Sequence, residues 1–243
     1  MTDHLIEIFS SAQGEGPYIG CRQVFVRFEG CNLKCRYCDT AHAIGSHPFC
    51  TVETLCSEEP EVSAPNPVSV EGAAGYIRRL LDAAPHHSVS FTGGEPLLHA
   101  DFIAAVAERI SARFFLETNG TLVDELKKLI PYVDIVSMDV KPPSAAGESL
   151  WDRHRAFLAT AAEKDVYVKL VVTADLTAEE MSNTCRLIAD VREDIPLILQ
   201  PVTPKGGCVP PKAEALLRMQ EQALCVLRDV RLIPQAHNMM GIR

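Results

Sequence analysis

Three of the nine cysteines lie close together, at Cys31, Cys35 and Cys38. Their spacing is C-x3-C-x2-C. Iron–sulfur clusters are normally held by four cysteine thiolates. Three thiolates from one short segment would leave one iron without a protein ligand, and an open coordination position lets a metal centre take part in a reaction. The spacing therefore favours a catalytic iron–sulfur cluster.

A structural zinc site is the alternative for this segment. Its fourth ligand would be Cys50, Cys56, His42 or His47. Zinc sites commonly combine two C-x2-C pairs, whereas this segment has one such pair with a single cysteine before it. The spacing favours iron and sulfur, and zinc stays open as the second interpretation.

The elements that must position these cysteines alternate between strand and helix. Short apolar runs predict strands at 23–28, 87–92, 114–118, 133–138, 166–173, 195–200 and 230–233. Apolar residues at helical spacing predict helices at 69–84, 101–112, 123–130, 150–163, 177–191 and 211–228. Such alternation is typical of a parallel sheet covered by helices. With about six strand–helix units, it predicts an α/β fold of the partial (β/α)6 TIM-barrel type.

Unusual residues follow several of the predicted strands. In parallel α/β folds the chemistry takes place at the carboxyl ends of the strands. Those ends carry Cys31, Thr92-Gly93-Gly94-Glu95, Glu117-Thr118-Asn119, Ser137–Lys141 and Gln200-Pro201. We therefore expect one site along one rim of the barrel.

Residues 41–68 interrupt the alternation. They contain Pro48, Pro60, Pro65 and Pro67 and show little periodicity. This pattern predicts an insertion, either a lid or a surface loop, within a single domain that spans residues 1–243. A second loop is predicted at 203–211.

Composition narrows the class of protein. The chain has 243 residues, of which 47% are apolar, and this excludes wholesale disorder. Twenty-three basic and 32 acidic residues give a net charge of −9, which argues against a general nucleic-acid binder. The first residues lack the pattern of a signal peptide, and no apolar run approaches the length of a membrane span. We therefore expect a cytoplasmic protein, whose thiols stay reduced.

The cysteine motif, with Tyr37 inside it, resembles the signature of radical S-adenosylmethionine enzymes. The Gly93-Gly94-Glu95-Pro96 run resembles the GGEP motif of that superfamily, whose fold is a partial (β/α)6 barrel. The resemblance implies a 4Fe–4S cluster on the three cysteines. It also implies S-adenosylmethionine bound to the open iron through its methionine amino and carboxylate groups.

Further segments resemble the 7-carboxy-7-deazaguanine synthases, a family within that superfamily. These segments are Gln13-Gly14-Glu15-Gly16, Cys38-Asp39-Thr40, Leu199-Gln200-Pro201 and Gln235-Ala236-His237. The resemblance covers the chain apart from residues 41–68 and 203–211. It implies a lyase that contracts the ring of 6-carboxy-5,6,7,8-tetrahydropterin by a radical route, giving 7-carboxy-7-deazaguanine and ammonia. That product belongs to queuosine biosynthesis, a tRNA modification pathway.

The same resemblance implies roles for individual residues and for partners. Substrate would be bound by Ala12, Gln13, Gly14, Glu15, Arg27, Thr92, His237 and the terminal carboxylate of Arg243. S-adenosylmethionine would be bound by Gly94, Ser137, Met138, Asp139, Lys141, Gln200, Pro201, Val202 and Thr203. Thr40 would offer its oxygen to Mg2+, a hard cation. Flavodoxin or ferredoxin would supply electrons to a homodimer.

Two other functions stay open. The Met138-Asp139-Val140 run departs from the commoner serine-proline-lysine form and is more like that of glycyl-radical activating enzymes, which act on a partner protein. A zinc-stabilised binding module is the other. Taken singly, the glycine-rich turn, Arg27, His237 and the Asp139–Lys141 pair each have an ordinary structural explanation. Taken together on one rim, they favour an enzyme.

Overall fold

The computed structural model describes residues 1–55 and 59–242. Its strands are β1 (Thr2–Asp3), β2 (Leu5–Ala12), β3 (Arg22–Phe28), β4 (Phe49–Glu53), β5 (Glu61–Pro65), β6 (Val68–Ser69), β7 (Ser88–Gly93), β8 (Phe114–Thr118), β9 (Ile135–Val140), β10 (Asp165–Val172), β11 (Leu197–Pro201) and β12 (Val230–Leu232). Its α-helices are α1 (Val70–Ala83), α2 (Ala100–Ala107), α3 (Val123–Leu129), α4 (Pro143–Ala146), α5 (Trp151–Ala161), α6 (Ala178–Ala189), α7 (Ala213–Leu224) and α8 (Ala236–Met240). Each strand and helix predicted from the sequence is present, with shifted ends.

The main sheet has the strand order β12-β11-β10-β9-β8-β7-β3-β2-β4-β5. From β3 to β12 every neighbouring pair of strands is parallel. Parallel neighbours need a crossover connection, which the helices supply. The predicted α/β class, with a partial barrel of parallel strands, is confirmed.

Two segments of the N-terminal quarter, β2 and residues 41–68, differ from what the sequence predicted. β2, which the sequence patterns did not predict, pairs antiparallel with β3 and parallel with β4. Residues 41–68, expected to form a lid or surface loop, instead contribute the antiparallel pair β4–β5 to the end of the sheet. Cys50 and Val52 on β4 are buried, whereas Phe49, the first residue of that strand, is exposed. Such alternation is typical of a strand that buries one of its faces.

The inward face of the barrel changes from apolar to polar along each strand. Its lower part is closed by an apolar cluster that contains Phe115, Ile135, Tyr167 and Ile198. Side chains two residues apart on a strand share a face. The next inward positions are therefore Glu117, Ser137, Lys169 and Gln200, all of which line a cavity. The barrel interior thus has an apolar cluster at one end and a cavity lined by polar side chains next to it.

Two of the long helices begin at a residue whose side chain caps the helix. The hydroxyl of Ser69 accepts a hydrogen bond from the backbone N–H of Gly72 at 3.0 Å at the start of α1. Thr177 and Glu180 form a capping box before α6. Across the described ranges, none of the helices has the length and apolar character needed to cross a bilayer.

Candidate active site

A cavity of about 480 Å3 opens at the carboxyl ends of the parallel strands. It brings together the three cysteines, the loop that follows β7, and the ends of β8 to β11. The predicted site residues that line it are Ala12, Gln13, Gly14, Glu15, Arg27, Cys31, Cys35, Cys38, Thr40, Thr92, Gly94, Ser137, Asp139, Lys141, Gln200, Val202, Thr203 and His237. The expected single rim is therefore present.

Two of the proposed cofactor contacts face the other way. Met138 is fully buried in the main hydrophobic core, and Pro201 does not line the cavity. Strand alternation explains both positions, because Ser137 and Asp139 flank Met138, and Gln200 and Val202 flank Pro201. Any contact from these two positions with a ligand in the cavity must therefore come from the backbone. Arg243 lies outside the described residues.

The cysteine loop is held close to the loop that follows β7. The backbone N–H of Glu95 donates to the carbonyl of Gly30 at 2.8 Å. A Cβ atom on Gly94 would lie 1.8 Å from that same carbonyl oxygen and 3.2 Å from Cβ of Cys31. Only glycine at position 94 therefore permits this approach, and the approach places the second loop beside the first cysteine.

The donor set of this loop fits a cluster better than a single metal ion. Cys31, Cys35 and Cys38 are all half-buried free thiols that line the same cavity. Within the two described ranges, no three side chains of His, Cys, Asp or Glu converge to hold one ion. A 4Fe–4S cluster binds each thiolate through a different iron, so its ligands need not meet at one point. Cys50, a zinc candidate, is buried in the main core on β4, away from this cavity.

Glu95 ties three loops together from a fully buried position. Its carboxylate accepts hydrogen bonds from the backbone N–H of Leu97 at 3.1 Å, the hydroxyl of Thr118 at 2.8 Å and the backbone N–H of Asn119 at 2.7 Å. Burial raises the pKa of Glu95 to about 7, against the effect of these donors. Asn119 in turn donates to Asn32 in the cysteine loop at 2.8 Å.

The half of the cavity next to β9 and β11 contains two hydrogen-bond acceptors that no protein donor occupies among the described residues. Oδ1 of Asp139 and Oε1 of Gln200 are buried, and neither has a hydrogen-bond partner among the described residues. A buried polar atom without a partner is costly, so native sites keep such atoms for a ligand or water. These two acceptors fit a ligand that carries amino or hydroxyl donors, as S-adenosylmethionine does.

Lys141 supplies positive charge to the same half. Its ammonium lies 2.8 Å from Oδ2 of Asp139 and over the ring of Tyr37, 5.1 Å from the ring centroid. Burial lowers the pKa of Lys141, but Asp139 more than compensates and the pKa lies above its usual value. The backbone N–H of Lys141 donates to Nε2 of His154 at 3.1 Å. The Asp139–Lys141 pair, with 15% and 12% of the two side chains exposed, is largely buried within the site.

The half of the cavity next to the N-terminal loop is built around Glu15. Its two oxygens are held by the ammonium of Lys169 and by Nε2 of Gln235, the latter at 2.7 Å. Burial raises the pKa of Glu15, but Lys169 and the amide of Gln235 outweigh it, and the pKa falls to about 2. Glu15 is therefore an ionised acceptor in a fixed orientation.

Arg27 lies on β3, between β2 and β7. It therefore lies on an inner strand of the sheet and not at the edge. Its Nε donates to Glu7 at 2.7 Å, and its guanidinium lies 5.8 Å from the ring centroid of Phe9. These contacts hold a cation at the wall of the cavity, where it can face an anionic ligand group.

Thr92 and Gln13 meet at a third carboxylate. The hydroxyl of Thr92 and the amide of Gln13 each donate to Glu117 at 2.7 Å. Glu117 thereby joins the end of β7 to the N-terminal loop.

The C-terminal helix closes one side of the cavity. The backbone N–H of Ala236 donates to the carbonyl of Gly14 at 2.9 Å. Gln235 donates to Asp39, next to the cysteines, at 2.9 Å and accepts from the hydroxyl of Thr203. His237 lies against Gly14, where a Cβ atom would be 2.3 Å from its Nδ1. Sequence-distant segments therefore converge on this helix.

Lys169 is the main residue that sequence reasoning missed. It is the only charged residue within the apolar run 166–172, and that break in the pattern was an available signal. Gln235 was noted only as part of a motif, and its hydrogen bonds with Glu15, Asp39 and Thr203 could not be read from spacing.

The chain is similar in sequence and in fold to proteins of one enzyme superfamily. The model of the Radical SAM superfamily matches residues 25–188. A 7-carboxy-7-deazaguanine synthase of Geobacter sulfurreducens is 43% identical over 98% of the chain and 96% of its own length. The synthase of that name from Archaeoglobus fulgidus is 36% identical over the full length of both. The crystal structure of QueE from Escherichia coli, 22% identical, has the same fold with a TM-score of 0.62 over 98% of this chain and 95% of its own. The chain therefore belongs to the radical SAM superfamily and, within it, to the family of 7-carboxy-7-deazaguanine synthases.

Proposed function

We propose that this chain is a radical SAM lyase that converts 6-carboxy-5,6,7,8-tetrahydropterin to 7-carboxy-7-deazaguanine and ammonia. One observation carries the proposal. A single cavity is lined by three free cysteines and also by an ionised Glu15 and by Arg27. The first set suits a cluster, and the second suits a ring with N–H donors and a carboxylate.

A 4Fe–4S cluster, when bound, would supply the electron for reductive cleavage of S-adenosylmethionine, the chemistry shared by the radical SAM superfamily. Cys31, Cys35 and Cys38 would hold that cluster. Asp139 and Gln200 would accept hydrogen bonds from the cofactor through their unpartnered oxygens. Lys141 would face its carboxylate.

The substrate half assigns the remaining roles. Glu15 would accept from the adjacent N–H groups of the 2-amino-4-oxo pyrimidine edge. Arg27 would face the 6-carboxylate. The hydroxyl of Thr40 lines the cavity and would bind Mg2+ together with the substrate. His237 would close the site from α8, and the role of the Arg243 carboxylate stays a prediction.

The family resemblance supports three further features, namely a homodimer, flavodoxin or ferredoxin as electron donor, and a place in queuosine biosynthesis. The cytoplasmic location, expected from the sequence pattern, stays a prediction. The single domain is favoured by one sheet that takes in both the barrel strands and β4–β5.

An anaerobic assay tests the reaction. The reconstituted protein is supplied with reductant, S-adenosylmethionine, Mg2+ and the carboxytetrahydropterin, and the products are separated by chromatography. We expect 7-carboxy-7-deazaguanine and ammonia in equal amounts. Cofactor cleavage without any deazaguanine would contradict the proposal and would favour the activating-enzyme alternative. Membership in the radical SAM superfamily already argues against the zinc-stabilised binding module.

A further inference from the structure

Lys169 lines the cavity and contacts residues from several of its segments. It projects inward from the middle of β10, where its register partner on β9 is Asp139. Only 11% of its side chain is exposed. A buried lysine costs free energy unless it is paired, so its partners indicate what it does.

Those partners belong to the two halves of the cavity. The ammonium contacts Glu15 in the substrate half and lies 3.3 Å from Oδ2 of Asp139 in the cofactor half. Burial lowers the pKa of Lys169, but Glu15, Asp139 and Glu117 raise it well above the usual value. Lys169 is therefore a permanent cation that Asp139 anchors from one side and Glu15 from the other.

Glu15 depends on this cation for its charge. It lies in a buried place, and burial by itself favours the protonated acid. Without the ammonium, one amide hydrogen bond from Gln235 would remain on its Oε1. A protonated Glu15 can donate as well as accept, so it would no longer distinguish a ring amine from a ring carbonyl.

We propose that Lys169 is a positioning residue that sets the selectivity of the site for the 2-amino-4-oxo pyrimidine edge, by keeping Glu15 an oriented, acceptor-only carboxylate. This inference rests on the proposed function. It assigns to Lys169 no part in the hydrogen transfer. Its effect is on which ring binds and how tightly.

The test compares two ligands on the anaerobic holoenzyme. The ligands are the carboxytetrahydropterin and its counterpart with a 2-oxo group in place of the 2-amino group, and their dissociation constants are measured by calorimetry. We expect Lys169→Met to weaken pterin binding by about 10- to 100-fold, the range of a lost charge-assisted hydrogen bond in a buried site. The preference for the 2-amino ring should disappear, and Lys169→Arg should restore part of it. In turnover, KM should rise more than kcat falls.

Two further variants separate this role from a general loss of structure. Glu15→Gln should also abolish the preference, and the double variant Lys169→Met/Glu15→Gln should be no worse than either single one, because both act through one group. Lys127→Met removes an exposed lysine that pairs with Asp124 and serves as the matched control. If Lys169→Met does not fold, Lys169→Gln supports the same comparison, since it keeps a donor and removes the charge.

Two results overturn the proposal in distinguishable ways. Wild-type holoenzyme that fails to bind the pterin at all would remove the proposed function and this inference with it. Wild-type protein that binds and prefers the 2-amino ring, with a Lys169 variant that keeps both affinity and preference, would remove the role of Lys169 alone. Independent, additive effects of the Lys169 and Glu15 variants would also reject it.

Discussion

Nε2 of His154 accepts a hydrogen bond from the backbone N–H of Lys141 at 3.1 Å, while its Nδ1 lies 3.0 Å from the carbonyl oxygen of Gly120. A carbonyl can only accept and a backbone N–H can only donate. The imidazole must therefore be neutral, with its proton on Nδ1. His154 is fully buried on α5, and it joins the ends of β8 and β9 from behind the cavity.

Replacing His154 should loosen the segment that carries Lys141. His154→Leu leaves a buried carbonyl and a buried N–H without partners, and each such group costs about 1–3 kcal/mol. We expect the free energy of unfolding in urea to fall by roughly the summed cost of these two groups. We also expect KM for S-adenosylmethionine to rise. His42→Leu, at an exposed histidine, is the control. Equal stability of His154→Leu and the control would show that the two hydrogen bonds are dispensable.

The same histidine predicts a dependence of stability on pH. Burial lowers the pKa of His154 to about 4, against the smaller effects of its backbone partners and of Asp139. The unfolded chain, with a histidine pKa of about 6.5, binds the proton first. The contribution of His154 is therefore complete above that value and is lost as the pH falls toward 4. Between about pH 6.5 and pH 4, the free energy of unfolding should fall more steeply with decreasing pH in the wild type than in His154→Leu. The same pH dependence in both proteins would contradict the assignment.

The strand ends were predictable because each depends on a local pattern. An apolar run that stops at Thr92 or Gln200 marks the point where a buried strand reaches the rim, and parallel topology then brings those points together. The cysteine spacing likewise lies within one loop. The β4–β5 pair was missed because its prolines suggested a loop, although Cys50 and Val52 alternate with half-buried neighbours.

The pairings within the cavity could not be read in the same way. Glu15 and Lys169 are far apart in the chain, and no spacing rule relates them. Lys169 breaks an apolar run, so its position hinted at a role, but its partner became evident only from the fold. The opposite orientation of Met138 follows from strand alternation once the register of β9 is known.

Glu95 should be needed in its carboxylate form. Glu95→Gln replaces one acceptor oxygen by a donor, so either Asn119 or the Leu97–Thr118 pair loses its partner. We expect a loss of about 1–3 kcal/mol in the free energy of unfolding, and a higher KM for S-adenosylmethionine because the Gly94 loop shifts. Glu108→Gln, which changes a surface carboxylate bonded to Tyr132, is the matched control. A Glu95→Gln protein as stable as that control would refute the structural role given to this carboxylate.

Replacement of glycine by alanine should have opposite effects at Gly14, where the added Cβ is crowded, and at Gly75, where it has space. An alanine Cβ at position 14 would lie 2.3 Å from Nδ1 of His237, so Gly14→Ala should push α8 off the cavity and raise KM for the pterin. A Cβ at position 75, within α1, meets nothing within 4 Å. Gly75→Ala should therefore stabilise the protein by about 0.5–1 kcal/mol and leave KM unchanged. An unaltered KM in Gly14→Ala would mean that the contact of His237 with Gly14 does not shape the substrate site.

Thr40 separates the substrate step from the cofactor step. Thr40 follows Cys38 by two residues in the sequence. Its hydroxyl lies 3.5 Å from the carbonyl oxygen of Gly93, the last residue of β7. Thr40→Ala removes the proposed oxygen ligand for Mg2+ but leaves all three thiols in place. We expect normal iron and sulfide content and normal cleavage of S-adenosylmethionine in the absence of pterin. Deazaguanine formation should fall by about 10- to 100-fold and should no longer respond to Mg2+, in the range found when a metal site loses a supporting group. Thr40→Ser keeps the hydroxyl and should restore both turnover and the metal response. If Thr40→Ala turns over with the wild-type dependence on Mg2+, the ion is not held at this residue.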